Sequence, residues 1–180
     1  MSIFGLTKGT ELEKLVQGAM QAEANGTMMY YALARLAKEQ GMDEVAEKFI
    51  ASANQEAVHA GFYAILNGKY PQDFWSLART LQQAEESGEQ KVSAMAAKFR
   101  EAGLTEAADE MEIFAKEEGH HGAVLKEILD KYGPDTQIPA GATVYVCPVC
   151  GYEYIGDINK EPDDYTCPLC GQPKTIFKKK

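Results

Sequence analysis

Residues 49–66, FIASANQEAVHAGFYAIL, govern the reading of the whole chain. Phe49, Ala53, Phe62 and Leu66 recur at helical spacing and share or flank one apolar face. Glu56 and His59 fall on that face too, roughly 60° apart at about 100° per residue. A carboxylate and an imidazole placed this way can grip one cation. An unpaired carboxylate on an apolar face is costly, so the pattern asks for a partner. Residues 114–128, FAKEEGHHGAVLKEI, repeat the device: Glu118 and His121 have the same spacing, with Phe114, Leu125 and Ile128 around them. His121 keeps the register from Glu118, which leaves His120 on the solvent side.

The surrounding sequence supplies the helices that carry these pairs. Residues 10–132 read as helix almost throughout. Thr10-Glu-Leu-Glu13 has the form of a capping box, and the first helix runs from there towards Gly41. Asp43 is placed to cap a second helix that fades at Asn67-Gly68, before Pro71. A third begins at Asp73 or Ser76 and ends at Gly103, and Thr105 is placed to cap a fourth that stops at Gly133-Pro134. Four helices of similar length with short connections predict an antiparallel bundle.

Helix one offers Glu23, flanked by Ala19, Met20, Gly26 and Tyr30. Tyr30, seven residues on, lies nearly above Glu23. It is placed either to donate a hydrogen bond to a ligand carboxylate or to serve as a core tyrosine. Helix three offers Glu85, Glu86 and Glu89. Glu89 precedes Val92 by three residues and is expected to face inward, and Glu86 forms a Glu-x-x-Glu pair with it. Glu85, four residues before Glu89, is also within reach, so the register of that helix stays open. Two Glu-x-x-His pairs on alternate helices, with carboxylates on the other two, are the donor set of a di-iron carboxylate bundle.

The four cysteines sit near the C-terminus, as Cys147-Pro-Val-Cys150 and Cys167-Pro-Leu-Cys170. Two such clips can hand four thiolates to one tetrahedral ion, iron or zinc. Residues 133–143, GPDTQIPAGAT, read as a linker. The segment beyond them is too small to bury a competent core, so metal binding must stabilise it.

Charge is unevenly placed. The net charge is −9, with 13 Lys and Arg against 22 Asp and Glu in residues 1–140 and five of each thereafter. An acidic first part argues against nucleic-acid binding. No apolar run is long enough for a membrane span, and the N-terminal residues lack a signal-peptide pattern. Cysteines confined to metal spacing suit a reducing cytoplasm.

Together these residues resemble the rubrerythrin family over nearly the whole chain. The likeness rests on Glu23 with Tyr30, on the two Glu-x-x-His pairs, and on the knuckles YVCPVCGYEY and PDDYTCPLCG with Lys174 and Phe177. It implies a mainly α fold: a ferritin-like antiparallel four-helix bundle over residues 1–138 and a small rubredoxin-like module over residues 139–180. It implies two non-haem irons held by Glu23, Glu56, His59, Glu86, Glu89, Glu118 and His121, with His59 and Glu86 exchanging at one iron. It implies a third iron on Cys147, Cys150, Cys167 and Cys170. The implied activity is reduction of hydrogen peroxide to water in oxidative-stress defence, and the implied assembly is a head-to-tail homodimer. Electrons would enter through the cysteine iron from an NAD(P)H-dependent reductase or a rubredoxin. Two other readings are an iron-handling ferroxidase and a non-enzymatic helical module with a zinc ribbon. The chain departs from the family in the 16-residue spacer between the clips and in helix three, where Met95 is followed by Ala-Ala.

Overall fold

A computed structural model describes residues 2–134 and 142–180. The expected mainly α, four-helix architecture is present: α1 (Glu13–Glu39), α2 (Asp43–Leu66), α3 (Phe74–Glu101) and α4 (Thr105–Tyr132). Three short strands follow, β1 (Val144–Val146), β2 (Glu153–Ile155) and β3 (Lys178–Lys179). The chain divides into two compact units, Met1–Gln72 and Asp73–Lys180. The expected boundary at residues 138/139 lies outside the described residues.

In the first unit α1 packs on α2, and in the second α3 packs on α4. Each pair is a hairpin closed by a three-residue connection, and the two closures match. Gly41 and Met42 donate to the carbonyls of Lys38 and Ala37, and Gly103 and Leu104 donate to those of Arg100 and Phe99. These bonds occupy carbonyls that a helix end leaves without partners. Small residues line the helix contacts: Ala34, Ala37, Ala46 and Ala53 in the first hairpin, Ala96, Ala108 and Ala115 in the second. Alanine there lets backbones approach closely while keeping high helix propensity.

Three of the four expected N-caps are displaced by a residue or more. Asp73 does cap α3, accepting from the amides of Trp75 and Ser76 at 3.1 and 3.2 Å. Asp43 and Thr105, by contrast, are the first helical residues of α2 and α4, and Met42 and Leu104 take the cap positions without side-chain bonds. The glycine-closed turns supply the reason, because they commit the preceding backbone and start the next helix one residue earlier than the capping chemistry suggests. Thr10 is also not the cap of α1, which begins at Glu13. Thr10 instead donates to the Thr7 carbonyl at 2.7 Å, while the Glu13 carboxylate accepts from the Gly9 amide at 2.8 Å.

The C-terminal module is a small antiparallel sheet in the order β2-β1-β3, with Tyr145 opposite Tyr154. Buried Cys147, Tyr152 and Cys167 form its centre, with Leu169, Ile176 and Phe177 packed around them. Tyr152 and Tyr165 meet Phe177 edge-on, with ring centroids 6.1 and 6.5 Å apart. Lys174 ties the loop by donating to the Glu161 carbonyl at 2.6 Å.

Candidate metal centre

Three groups of donor side chains stand out among the described residues. Glu23, Glu56 and His59 converge in the first hairpin, Glu85, Glu118 and His121 in the second, and the four cysteines in the C-terminal module. Within each group the donor atoms lie within 4.8 Å of one another.

The two helical groups are near copies. Glu23, Glu56 and His59 become Glu85, Glu118 and His121 on adding 62 to each number. The helices obey the same offset, with Glu39 and Asp43 matching Glu101 and Thr105. In each group the histidine Nδ1 stands 3.5 Å from the carboxylate on the other helix: His59 from Glu23, and His121 from Glu85. His59 also lies 3.3 Å from Glu56. The offset reaches the glycines. Gly26 and Gly88 each follow the first glutamate by three residues, and the second glutamate lies across them. A methyl group at Gly26 would come within 3.6 Å of the Glu56 side chain, and one at Gly88 within 3.2 Å of Glu118.

Electrostatics repeat as well. The hydrogen bond with Glu56 raises the Glu23 carboxyl above its ordinary range, and burial adds to this. Glu56, accepting that bond, is held below its ordinary range. Glu85 is raised in the same way by its hydrogen bond with Glu118 and by burial. Two carboxyls set this close disfavour each other's charge, which a cation between them would relieve. The Glu85 Oε2 atom is buried and makes no hydrogen bond, its nearest polar neighbour across the helices being His121 Nδ1 at 3.5 Å. A buried carboxylate oxygen without a partner is costly and has the character of an unfilled ligand position. The donor sets fit a metal on these grounds.

The expectation that Glu56, His59, Glu118 and His121 face inward holds for the two carboxylates, which are half-buried, more than for the two rings, which are exposed. Glu23 and Glu85 are 25% and 19% exposed, while His59 and His121 are 55% and 56% exposed. An imidazole three residues along sits at the edge of the face rather than at its middle. A cleft of about 430 Å³ beside the first group is lined by Glu23, Val58, His59, Phe62 and Tyr63.

On α3 the structure separates the three glutamates. Glu85 is the one beside Glu118 and His121. Exposed Glu86 accepts from Gln82 at 3.0 Å, and exposed Glu89 rests against Gly119, where a methyl group would lie 3.0 Å from its Cδ. Neither belongs to a donor group. Tyr30 packs against Phe49, with ring centroids 6.1 Å apart. Sequence reasoning left Glu85 undecided, and the missed signal was the 62-residue offset, which carries Glu23 to Glu85 and Gly26 to Gly88.

In the C-terminal module the two clips form matching knuckles. Gly151 and Gly171 donate to the carbonyls of Cys147 and Cys167 at 2.9 and 2.8 Å. Their φ values of 84° and 72° are reached cheaply only by glycine. Cys147 and Cys170 sulfurs are 3.6 Å apart, and those of Cys150 and Cys167 are 3.4 Å apart. A tetrahedral ion about 2.3 Å from each sulfur would space them at about 3.8 Å, so the site is nearly at its bound size. All four are free thiols. Burial pushes the Cys150 and Cys167 thiols up, Cys167 to about 11, so a cation here would favour their thiolate forms.

The chain is similar to several known proteins. The profile of the Rubrerythrin family matches residues 14–83. An uncharacterized protein of Methanocaldococcus jannaschii is 37% identical over 128 residues, covering 71% of this chain and 91% of its own. A putative rubrerythrin of the same organism is 29% identical, covering 84% and 83%. Nigerythrin of Nitratidesulfovibrio vulgaris is 27% identical, covering 94% and 86%. No helix among the described residues is long and apolar enough to cross a membrane.

Proposed function

Because the chain belongs to the rubrerythrin family, we propose that it is a cytoplasmic non-haem di-iron peroxidase that reduces hydrogen peroxide to water. The observation that carries this reading is the doubled Glu, Glu and His group in a chain that also holds a four-cysteine site. Glu23, Glu56, Glu85 and Glu118 supply four negative charges, which balance two ferrous ions, and His59 and His121 add neutral donors. Iron held there supplies Lewis acidity and the two electrons that, with two protons, convert one peroxide into two waters.

The chain's own part is to place charge and control access. Gly26 and Gly88 leave room for Glu56 and Glu118 to reach the neighbouring helix. The cleft lined by Val58, Phe62 and Tyr63 opens beside Glu23 and His59 and would admit a small polar oxidant to the first group. Glu89, resting on Gly119 beside Glu118, is a further carboxylate to offset charge on oxidation. Cys147, Cys150, Cys167 and Cys170 would hold a third iron that returns electrons singly, drawn from an NAD(P)H-dependent reductase or a rubredoxin. A head-to-tail homodimer would let that iron serve the partner's helices. A dedicated electron site disfavours a ferroxidase, which takes electrons from its own iron substrate.

Anaerobic metal analysis should find about three irons per chain, one for each donor group. Peroxide turnover with an external reductase should fall to background in Cys170→Ser, while a single peroxide pulse still oxidises the helical irons. Undiminished turnover in Cys170→Ser would remove the relay. Unchanged turnover in Glu56→Gln with His59→Gln would remove the helical groups as the reaction site.

A further inference from the structure

The stretch between α2 and α3 is too short for the bundle it must serve. A ferritin-like order joins two antiparallel hairpins by one long crossover, so α2 and α3 run the same way along the bundle. With Glu56 and Glu85 at one level, as a shared centre needs, Leu66 lies ten residues to one side of that level and Phe74 eleven to the other. At about 1.5 Å per residue the connection must climb about 31 Å. Fully extended, the chain from Leu66 to Phe74 reaches only about 28 Å. Nor is it extended. Gly68 and Lys69 donate to the carbonyls of Ile65 and Ala64 and close the end of α2, with Gly68 at a φ of 59°. Asp73 is already committed as the cap of α3. What remains, from Lys69 to Asp73, reaches about 14 Å. We propose that a second copy of this chain completes each bundle, with α1 and α2 of one copy packed against α3 and α4 of the other.

The faces that need covering match one another. Under the 62-residue offset, Leu33 and Phe62 of the first hairpin correspond to Met95 and Val124 of the second, and all four are exposed. Phe62 and Val124 each follow the histidine of their group by three residues, so they border the donors. Two packed helices make a single layer, which leaves such side chains in need of a second apolar layer. The donors need it as well. Each hairpin brings two carboxylates and one imidazole, half of what an octahedral ion takes. Exchange keeps one of each helix in every bundle and changes only which copy supplies it. One bundle then holds Glu23, Glu56 and His59 of the first copy with Glu85, Glu118 and His121 of the second, and the other bundle holds the reverse. Neither centre is complete in one chain.

The inference rests on reading these groups as metal ligands, and complementation between two damaged chains tests it. Glu56→Gln with His59→Gln damages the first hairpin, and Glu118→Gln with His121→Gln damages the second. Alone, each variant places a damaged hairpin in both of its bundles. In a mixed dimer one bundle collects both damaged hairpins and the other collects two intact ones. The full-length variants are unfolded together in urea and refolded with zinc in the cysteine sites. Their helical groups are stripped by chelation and titrated with manganese(II), which carboxylate and imidazole donors accept. Two such ions held by common carboxylates give a spin-coupled signal in electron paramagnetic resonance, distinct from that of separate ions. Neither variant alone should show it. Random pairing makes about half of the dimers mixed, so the mixture should recover about a quarter of the wild-type pair signal. A further variant carries about thirty Gly and Ser residues between Tyr70 and Pro71, whose mean span of about 30 Å matches the climb. Refolded at low concentration, it should be a monomer with its pair signal intact, whereas the wild type should have twice the chain mass by light scattering.

No recovery in the mixture would overturn the proposal, as would a single-chain mass for the wild type, the result expected if α3 folds back antiparallel to α2 within one chain. A pair signal from either variant alone would also overturn it, because like hairpins would then be pairing. A lengthened chain that stays dimeric would remove the shortness of residues 67–73 as the cause. Helical circular dichroism checks each variant's fold. Peroxide turnover of the iron-loaded wild type is read separately. Recovery in an inactive protein would sink the peroxidase reading alone, and no recovery in an active one would sink this inference alone.

Discussion

Replacing Gly122 by alanine tests the geometry of the second donor group directly. Gly122 is buried on α4, and a methyl group there would stand 3.1 Å from the Glu86 backbone nitrogen, 3.4 Å from its Cα and 3.6 Å from the Glu85 carbonyl carbon. These are backbone atoms, so no side chain can swing aside. Alanine in a helix interior ordinarily gains about 0.5–1 kcal/mol over glycine. Overpacking against a fixed wall costs about 1–3 kcal/mol. The second effect wins, for a net loss of about 1 kcal/mol. Gly18 of α1 is the control, because it is exposed and nothing lies within 4 Å of its added carbon. Gly18→Ala should show the whole propensity gain, so the two variants should differ by about 2 kcal/mol. Urea denaturation followed by helical circular dichroism measures this, with the cysteine site occupied in all samples. The same methyl group would push α3 from α4 where Glu85 faces His121, now 3.5 Å apart. Gly122→Ala should therefore weaken manganese(II) at the second group. The reasoning fails if Gly122→Ala is as stabilising as Gly18→Ala and manganese(II) affinity is unaltered.

Two further outcomes follow from named contacts. Glu85→Gln should weaken manganese(II) at the second group by about tenfold or more, whereas Glu86→Gln, whose carboxylate accepts from Gln82, should leave it unchanged in the same titration. An equal loss in both would return the register of α3 to the Glu86 and Glu89 alternative. In the C-terminal module, burial and the hydrogen bond to Glu161 push the Tyr154 hydroxyl up from 10.0 to about 12. The unfolded chain therefore releases this proton first as pH rises. Stability from the neutral phenol is complete below pH 10.0 and is lost progressively towards about 12. Tyr154→Phe should flatten that alkaline decline in urea midpoints of the zinc-loaded chain, and an unchanged slope would assign the decline to other groups, such as Tyr165.

Much of the site was legible because its chemistry is periodic. Glu56 with His59 and Glu118 with His121 sit at helical spacing, so one-dimensional order predicts which side chains share a face. The cysteine clips are still more local, since each knuckle closes on itself through a glycine one residue past the second cysteine. Glu85 was harder to choose. Three glutamates within five residues all lie near one helical face, and rotation by a single residue moves a carboxylate by only about 100°. The partner helix separates two of them, since Gly88 makes room for Glu118 and Gly119 receives Glu89, while Gln82 of the same helix engages Glu86. The caps at Asp43 and Thr105 were misread for a similar reason. A residue of good capping chemistry was present, but the glycine-closed turn before it set where the helix could begin.

The helices, their breaks, the four-thiol site and the residue types available to a metal were readable along the chain, because these depend on neighbours within a turn or two. The sorting of the donors into two matching groups, one to a hairpin, with Glu85 beside Glu118 and His121, came from the packing of the helices. That choice depends on which backbone an opposing side chain can cross, and the crossing is fixed by the approach of two helices rather than by the spacing along either one.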